Sequence, residues 1–138
     1  MKRMILTVLA LALTLLSTVS AQATDVTLTW QWPGSYCNSD PLPLADIQAA
    51  EIYISQAPIP RVPSSCDPGQ VDVPPSGAII QTVTTPNTSV VIDLECGAQY
   101  FFVMRVQANG SWSNFSVEAM RDLDDCGRPG IPIIISLS

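Results

Sequence analysis

The residues that could carry out covalent chemistry in this chain are few. Histidine is absent, and the single lysine, at position 2, lies in a segment that we expect to be removed. Without either residue a Ser-His-Asp triad, a Schiff base and most zinc hydrolase schemes are excluded. Carboxylate pairs could still hydrolyse a glycoside, and two clusters exist: Asp93 with Glu95, and Asp122 with Asp124 and Asp125. Residues 93 and 95 would share one solvated face of a strand, and the second cluster could hold Ca²⁺. We nevertheless expect no enzyme and no cofactor.

Four cysteines form the other chemically distinctive set: Cys37, Cys66, Cys96 and Cys126. An even number of cysteines is typical of disulfides in an oxidising compartment. Zinc is the alternative, but there is no CxxC pair and no histidine to complete a tetrahedral site. The sequence therefore predicts two disulfides and no metal.

The first 23 residues have the pattern of an export signal. Two basic residues precede an apolar run over residues 4–19. Ala-Gln-Ala at 21–23 supplies small residues at the spacing that a signal peptidase reads, so we expect cleavage before Gln22 or Thr24. A retained membrane anchor is the alternative, but Ser and Thr interrupt the run and no basic residues follow it. We interpret residues 1–23 as a signal peptide, which predicts a secreted or periplasmic protein with no membrane attachment.

The charge of the remaining chain narrows the choice of partners. Removing the signal leaves 138 − 23 = 115 residues, the size of one ordinary domain. They hold twelve acidic side chains and four arginines, so their net charge is 4 − 12 = −8. So few cations cannot neutralise many phosphates. Nucleic acids and anionic membranes are therefore not expected as partners.

After the signal, short β-type runs alternate with segments rich in Pro, Gly, Asn and Asp. Strands are expected over residues 25–32, 49–55, 78–84, 89–94, 100–108 and 115–121. In the second strand we expect Ile52 and Ile54 to point inward and Tyr53 outward. The third and fourth strands are expected to form a hairpin around Pro86 and Asn87. A long irregular connection over residues 56–76 separates the second strand from the third.

One stretch carries a resemblance to a known family. Leu94 stands six residues before Tyr100, Gly97 lies between them, and an alternating apolar run follows over residues 102–108. This pattern predicts a tyrosine corner, in which the phenol bonds back to nearby backbone. The stretch resembles the E–F corner and F strand of a fibronectin type III domain, and Trp30 resembles the core tryptophan of that family. The resemblance implies an all-β, immunoglobulin-like β-sandwich over residues 24–127.

Two departures from that family are informative. Cys96 stands where the corner usually has proline, so a disulfide could hold the corner. The sequence after the signal starts almost directly on strand B of the family pattern, which leaves no room for strand A. The apolar tail over residues 128–138 could replace strand A as an extra C-terminal strand, either in its own domain or in a neighbouring copy.

The resemblance also implies how the cysteines pair. In a type III sandwich the E–F corner and the exit from strand G lie at the same end, which brings Cys96 and Cys126 within bridging distance. Cys37 would lie in the B–C loop at the opposite end. It is left with Cys66, whose long connection must then reach across the domain.

Residues 112–116, Trp-Ser-Asn-Phe-Ser, are similar to the Trp-Ser-x-Trp-Ser box of type III domains in cytokine receptors. In that family an arginine from strand F stacks on the aromatic rings of the box, and Arg105 is the candidate here. Trp112, Phe115 and Arg105 could either form a ladder that stiffens the edge of strands F and G or contact a ligand.

Two further aromatic residues, Trp32 and Tyr36, would lie in the B–C loop, at the same end of such a sandwich as Trp112. Exposed rings grouped on end loops would suit a sugar or a protein partner. Alternatively, Trp32 covers the end of the core.

These observations favour a non-enzymatic, exported binding or structural module that makes protein–protein contacts or takes part in assembly. Its partner would be a protein or a glycan at a cell surface or in the periplasm. One alternative is an adhesin-like carbohydrate-binding module that uses the loop aromatics. Another is a subunit that self-associates by donating its C-terminal strand to another copy.

Overall fold

The computed structural model describes residues 22–61, 72–124, 126 and 133–135. Within these residues the chain forms eight strands and one short 3₁₀ helix, Leu44–Asp46. The strands are β1 (Ala23–Trp30), β2 (Ile47–Ser55), β3 (Ile79–Val83), β4 (Ser89–Glu95), β5 (Gln99–Ala108), β6 (Ser111–Trp112), β7 (Ala119–Asp122) and β8 (Ile133–Ile135). No helix in this part of the chain is long and apolar enough to cross a bilayer.

The strands form two sheets that enclose a common core. The smaller sheet has the order β4-β1-β8, and the larger has the order β3-β2-β5-β6, with β7 also paired to β5. The central pairs, β1 with β4 and β2 with β5, are antiparallel. The expectation of an all-β, sandwich-like architecture is therefore confirmed.

The expected hairpin between the third and fourth strands is wrong. β3 pairs with β2 of the larger sheet, whereas β4 pairs with β1 of the smaller sheet. The chain crosses between the sheets at the turn that follows β3, where the Trp30 N–H donates to the Thr88 carbonyl at 3.0 Å. This crossover lets Val83 and Leu94 enter the core from opposite layers, which satisfies the apolar pattern of both strands.

Inward side chains from both sheets build the core. Trp30 and Tyr100 are each 3% exposed. The inward orientation expected for Ile52 and Ile54 is confirmed, since both are buried in this core. Complete burial of an aliphatic or aromatic side chain contributes roughly 1.5–3 kcal/mol, so these positions dominate the stability of the sandwich.

Tyr53 lies on the other face of β2, as expected, but it is only 2% exposed. It belongs to a second apolar cluster on the outer face of the larger sheet, together with Ile59, Phe101, Val103 and Phe115. Ile59 comes from the connection between β2 and β3. Part of that connection therefore packs over the sheet and gives its outer face a small core of its own.

The tyrosine corner forms as the sequence predicts. The Tyr100 hydroxyl donates to the Glu95 carbonyl at 3.2 Å. Gly97 adopts a φ of +84° in the same turn, a conformation that favours glycine. The corner joins β4 of one sheet to β5 of the other, so it fixes how the two layers are connected.

The disulfide expected at this corner is present. Cys96 and Cys126 are bonded, and their Cα atoms lie 5.9 Å apart. Cys37 is disulfide-bonded as well, and its expected partner, Cys66, lies outside the described residues. The bond at Cys96 ties the corner to the segment that leaves β7.

Part of the C-terminal tail forms a strand within its own chain. β8 runs parallel to residues 28–30 of β1. Ile133 and Ile135 are buried in the core, whereas Ile134 is exposed. The Thr29 hydroxyl donates to the Ile133 carbonyl at 3.2 Å. The extra C-terminal strand expected from the sequence thus forms within its own chain, at one edge of β1.

Candidate functional site

The last strand expected from the sequence, residues 115–121, is broken in the structure. β6 and β7 both pair with β5, but their registers differ. Between the two pairings, residues 103–106 of β5 stand opposite residues 113–118, so the partner segment has two surplus residues. A bulge of this kind interrupts the regular ladder of backbone hydrogen bonds.

Two serine side chains restore the hydrogen bonding of β5 across this break. The Ser116 hydroxyl accepts from the Met104 N–H at 2.9 Å, and the Ser113 hydroxyl accepts from the Val106 N–H at 3.0 Å. The N–H groups of both serines donate back to the carbonyls of the same β5 residues at 2.8 Å. Because buried N–H groups without acceptors are costly, these serines support the fold.

Arg105 stacks between two aromatic rings on the outer face of the larger sheet. Its guanidinium carbon lies 4.2 Å from the centroid of the Trp112 ring and 5.1 Å from that of Tyr53. Phe115 extends the row, with its ring centroid 5.3 Å from that of Tyr53. We call Trp112, Arg105, Tyr53 and Phe115 the aromatic ladder.

Glu51 neutralises the charge of the ladder. Its Oε2 atom lies 2.8 Å from Arg105 Nη2 and also accepts from Arg105 Nε at 3.1 Å. The Tyr53 hydroxyl donates to the same oxygen at 2.5 Å and accepts from Arg105 at 2.7 Å. Burial and the hydrogen bond to Glu51 raise the pKa of Tyr53 to about 12. Burial alone would raise the pKa of Glu51, but bonds from Tyr53 and Arg105 outweigh it and lower that pKa.

The described ends of the connection between β2 and β3, residues 56–61 and 72–78, contact this face of the sheet. The Ile59 N–H donates to the Glu118 carboxylate at 2.7 Å, and Arg61 donates to the Ser116 carbonyl at 3.0 Å. Asp72, near the end of the connection, accepts from the Phe115 N–H at 2.7 Å. The structure therefore brings Arg105, Trp112 and Phe115 together in one ladder, in which Phe115 is buried with Ile59 of the connection. Their predicted contact with a ligand stays a prediction.

The other two aromatic residues expected in a binding face, Trp32 and Tyr36, are half-buried against the core. Trp32 meets Trp30 edge to face, with ring centroids 5.9 Å apart. The Tyr36 hydroxyl donates to Asp46 and accepts from Asn109 in the turn between β5 and β6, both at 3.1 Å. These bonds confirm that the two loops meet at one end of the sandwich, where both rings make intramolecular contacts.

The carboxylate clusters do not form a metal centre in the described part of the chain. There, no group of three or more His, Cys, Asp or Glu side chains is arranged to hold a metal ion. Asp122 instead accepts from the Asp124 N–H at 3.0 Å, within a turn. Asp125 lies outside the described residues.

The outer edge of β3 was not expected from the sequence, because the predicted hairpin would have covered it. β3 pairs with β2 on one side, and no strand in the described ranges pairs with it on the other. Ile79 and Ile80 are 52% and 54% exposed. Charged residues and prolines usually protect an edge strand from pairing with another chain, but residues 78–84 contain neither. No local pattern in this run identifies an edge, because an edge is defined by which strands lie beside it.

The other edge strands of the described chain differ from β3. β4 carries Asp93 and Glu95, and β7 carries Arg121 and Asp122. β6 and β8 are only two and three residues long. Charges and short length both discourage the addition of a further strand. β3 is therefore the described edge best suited to take one.

A cleft of about 460 Å³ opens beside the start of β3, between the two sheets. Its apolar lining includes Ile54, Ile79 and Leu94, and its polar lining includes Asp93 and Glu95. Tyr100 lies there too, where its hydroxyl accepts from Gln56 at 3.2 Å. The cleft and the open edge of β3 form one continuous surface because Ile79 belongs to both.

Compared with known proteins, the chain matches no family model, no curated protein and no solved structure. None of these comparisons identifies a fibronectin type III domain.

Proposed function

We propose that the protein is a non-enzymatic, exported binding module that takes up an extended segment of a partner protein along the outer edge of β3. In this proposal residues 1–23 direct export, and the sandwich is of the immunoglobulin-like, fibronectin type III kind. The observation that carries the proposal is the edge of β3, which is uncharged, exposes Ile79 and Ile80, and has no partner strand on its outer side among the described residues.

The chain topology supports this assignment of the sandwich. β1 and β4 would correspond to strands B and E, and β8 would take the place of strand A. β2, β3, β5 and the broken pair β6 and β7 would correspond to strands C, C′, F and G. The tyrosine corner between β4 and β5 stands at the position that such domains use.

Strand addition is the binding mode that an open edge offers. Alternate N–H and C=O groups along the outer side of β3 can pair only with another extended backbone. Main-chain hydrogen bonds then provide affinity, and the side chains that alternate along the added strand provide specificity. Exposed Ile79 and Ile80 would contribute apolar contacts on the two faces of the enlarged sheet.

The alternatives receive less support from the geometry. A sugar would need exposed ring faces, whereas Trp32 and Tyr36 pack on the core and Trp112 is stacked by Arg105. Donation of the C-terminal strand to another copy would require β8 to leave β1, where two of its three isoleucines are buried. Strand addition at β3 requires no such rearrangement.

The test uses the full chain, produced in an oxidising compartment, and a displayed library of random peptides. We expect the selection to enrich peptides that bind the chain. Ile80→Lys, which places a charge on the β3 edge, should weaken their binding at least about tenfold. Val91→Lys is the matched control, because Val91 is 59% exposed on β4 of the other sheet, and it should leave binding unchanged.

Backbone modification of an enriched peptide then identifies the mode of binding. Methylation of successive peptide nitrogens should abolish binding at every second position only, since alternate N–H groups face the partner strand. Failure to enrich any peptide that depends on Ile80, or an N-methylation pattern without this alternation, would overturn the proposal.

A further inference from the structure

The turn between β5 and β6 contains the two residues of this chain that are best suited to a spontaneous covalent modification. Asn109 is followed directly by Gly110, and both are exposed. We propose that Asn109 is a deamidation site, that Tyr36 and Gln48 restrain the reaction, and that its product loosens the end of the sandwich at which the two loops meet. This inference is independent of strand addition at β3.

The reaction needs only the chain itself and water. The backbone nitrogen of Gly110 attacks Cγ of Asn109, so a new C–N bond forms and the bond from Cγ to Nδ2 breaks. Nδ2 leaves as ammonia with the proton that the backbone nitrogen gives up. Water then opens the resulting succinimide at either carbonyl carbon and yields aspartate or isoaspartate. Glycine favours the ring closure because it has no side chain to obstruct it and its backbone is permissive.

The other three asparagines of the chain lack this combination. Asn38, Asn87 and Asn114 are followed by Ser, Thr and Phe, whose side chains hinder ring closure. Asn38 is also held by Asp40, since its Nδ2 donates to the Asp40 carboxylate at 2.6 Å and its Oδ1 accepts from the Asp40 N–H at 3.1 Å. Deamidation should therefore be concentrated at Asn109.

Two hydrogen bonds restrain the reacting groups while the turn is closed. The N–H of Gly110, the attacking nitrogen, donates to Oε1 of Gln48 at 2.8 Å. Nδ2 of Asn109, the leaving nitrogen, donates to the Tyr36 hydroxyl at 3.1 Å. Both bonds are exposed, and β6 pairs with β5 through only two residue pairs. Local opening of so short a hairpin costs little, so the folded chain should react, but more slowly than it would without these bonds.

The product would change the contact between the two end loops. The Tyr36 hydroxyl accepts from Asn109 Nδ2 and donates to Asp46 Oδ2, both at 3.1 Å. An aspartate at position 109 presents an acceptor in place of this donor, so two carboxylates would compete for one hydroxyl proton. They would also repel each other. The loop that carries Tyr36 and Asp46 should therefore separate from the turn.

The first experiment locates the reaction. The full chain, produced in an oxidising compartment, is incubated in mildly alkaline buffer, and peptide mapping by mass spectrometry quantifies aspartate and isoaspartate at each asparagine. Most of the product should lie at Asn109. Gln48→Ala and Tyr36→Phe should each speed its formation about fivefold, which corresponds to the roughly 1 kcal/mol that one hydrogen bond contributes. Gln31→Ala, at an exposed glutamine between β1 and β2, is the matched control and should leave the rate unchanged.

The second experiment measures the consequence of the modification. Asn109→Asp should unfold at a lower urea concentration than the wild type, and high salt should reduce the difference because it screens the repulsion. Asn87→Asp is the matched control, since it adds the same charge at an exposed asparagine outside this contact. It should unfold at the same urea concentration as the wild type.

The outcomes test each part of the inference. Product concentrated at another asparagine would overturn the assignment of the site. Wild-type rates in both Gln48→Ala and Tyr36→Phe would overturn the restraint. Equal unfolding midpoints for Asn109→Asp and the wild type would show that the modification does not loosen the loops. None of these results bears on strand addition at β3.

Discussion

The two edges of the larger sheet differ in how regular their strands are and in how well they are covered. At one edge, the strand that pairs with β5 is interrupted over residues 113–118. Two serine hydroxyls nevertheless accept hydrogen bonds from the N–H groups of β5, and Ile59, from the connection between β2 and β3, packs on the outer face of the sheet. At the other edge, β3 is a regular strand, yet no described strand pairs with its outer edge. Among the described residues the irregular edge is closed and the regular edge is open, which is why we propose strand addition at β3.

The largest expected effect tests the closed side. Arg105→Ala should lower the free energy of unfolding by about 2–3 kcal/mol, because Glu51 and Tyr53 lose the cation that pairs with both. Breaking a fully buried ion pair usually costs about 3–5 kcal/mol. We expect a smaller loss here because the side chains of Arg105 and Glu51 are still 12% and 23% exposed. Urea unfolding followed by tryptophan fluorescence measures it.

Arg121→Ala in β7 is the matched control for Arg105→Ala. The described residues contain no ion pair that involves Arg121, so its loss should cost less than about 0.5 kcal/mol. Equal unfolding midpoints for the two variants would contradict a structural role for the aromatic ladder.

The next effect is a loss of stability at alkaline pH that depends on Tyr53. Its pKa is raised from 10.0 to about 12 in the folded chain, so the unfolded state releases the phenolic proton first. The stabilisation is complete below pH 10 and is lost as the pH rises toward 12. Unfolding measured across this range should show a decline that Tyr53→Phe removes. A decline that persists unchanged in the variant would contradict this account.

The serines of the break should have a smaller effect. Ser116→Ala leaves the buried Met104 N–H without its acceptor and should cost about 1–2 kcal/mol. Ser113→Ala should cost less, because its bond to Val106 is only partly buried. Exposed Ser111 provides a control that should be close to neutral. If the alanine variants of Ser116, Ser113 and Ser111 all unfold at the same denaturant concentration, the serine hydroxyls do not replace the missing backbone hydrogen bonds of β5.

The smallest effect is expected at the open edge. Ile80→Lys should change the free energy of unfolding by less than about 0.5 kcal/mol, because the side chain is already half exposed and, within the described ranges, its backbone pairs with β2 alone. Val91→Lys should behave in the same way. A loss well above 1 kcal/mol in the first variant alone would show that other parts of the chain cover the β3 edge.

Much of the fold could be predicted from local sequence pattern. Leu94, Gly97 and Tyr100 specify the corner through their own spacing, and alternation identified the inward faces of β2 and β5. The sheet in which β3 lies could not be predicted, because a short apolar run fits a hairpin as well as a crossover. That choice depends on which layer of the core needs Val83, a property of the assembled sandwich.

The candidate site was predicted less well than the fold. The pattern of residues 112–116 correctly brought Arg105 to Trp112, because strand pairing fixes which residues are neighbours. Burial of Tyr53 was not foreseen, since it depends on the connection that packs over its face. The β3 edge was hidden for a related reason: an open edge is defined by the absence of a neighbour, and no local pattern reports that absence.

Site-resolved amide hydrogen exchange on the full chain, with and without a library-selected peptide, tests the central claim most directly. Without peptide, the outward-facing amides of residues 79–83 should exchange much faster than those of Met104 and Val106. With peptide, protection should appear at alternate residues of β3. Slow exchange along all of β3 in the free chain, or protection by peptide only elsewhere, would contradict the account.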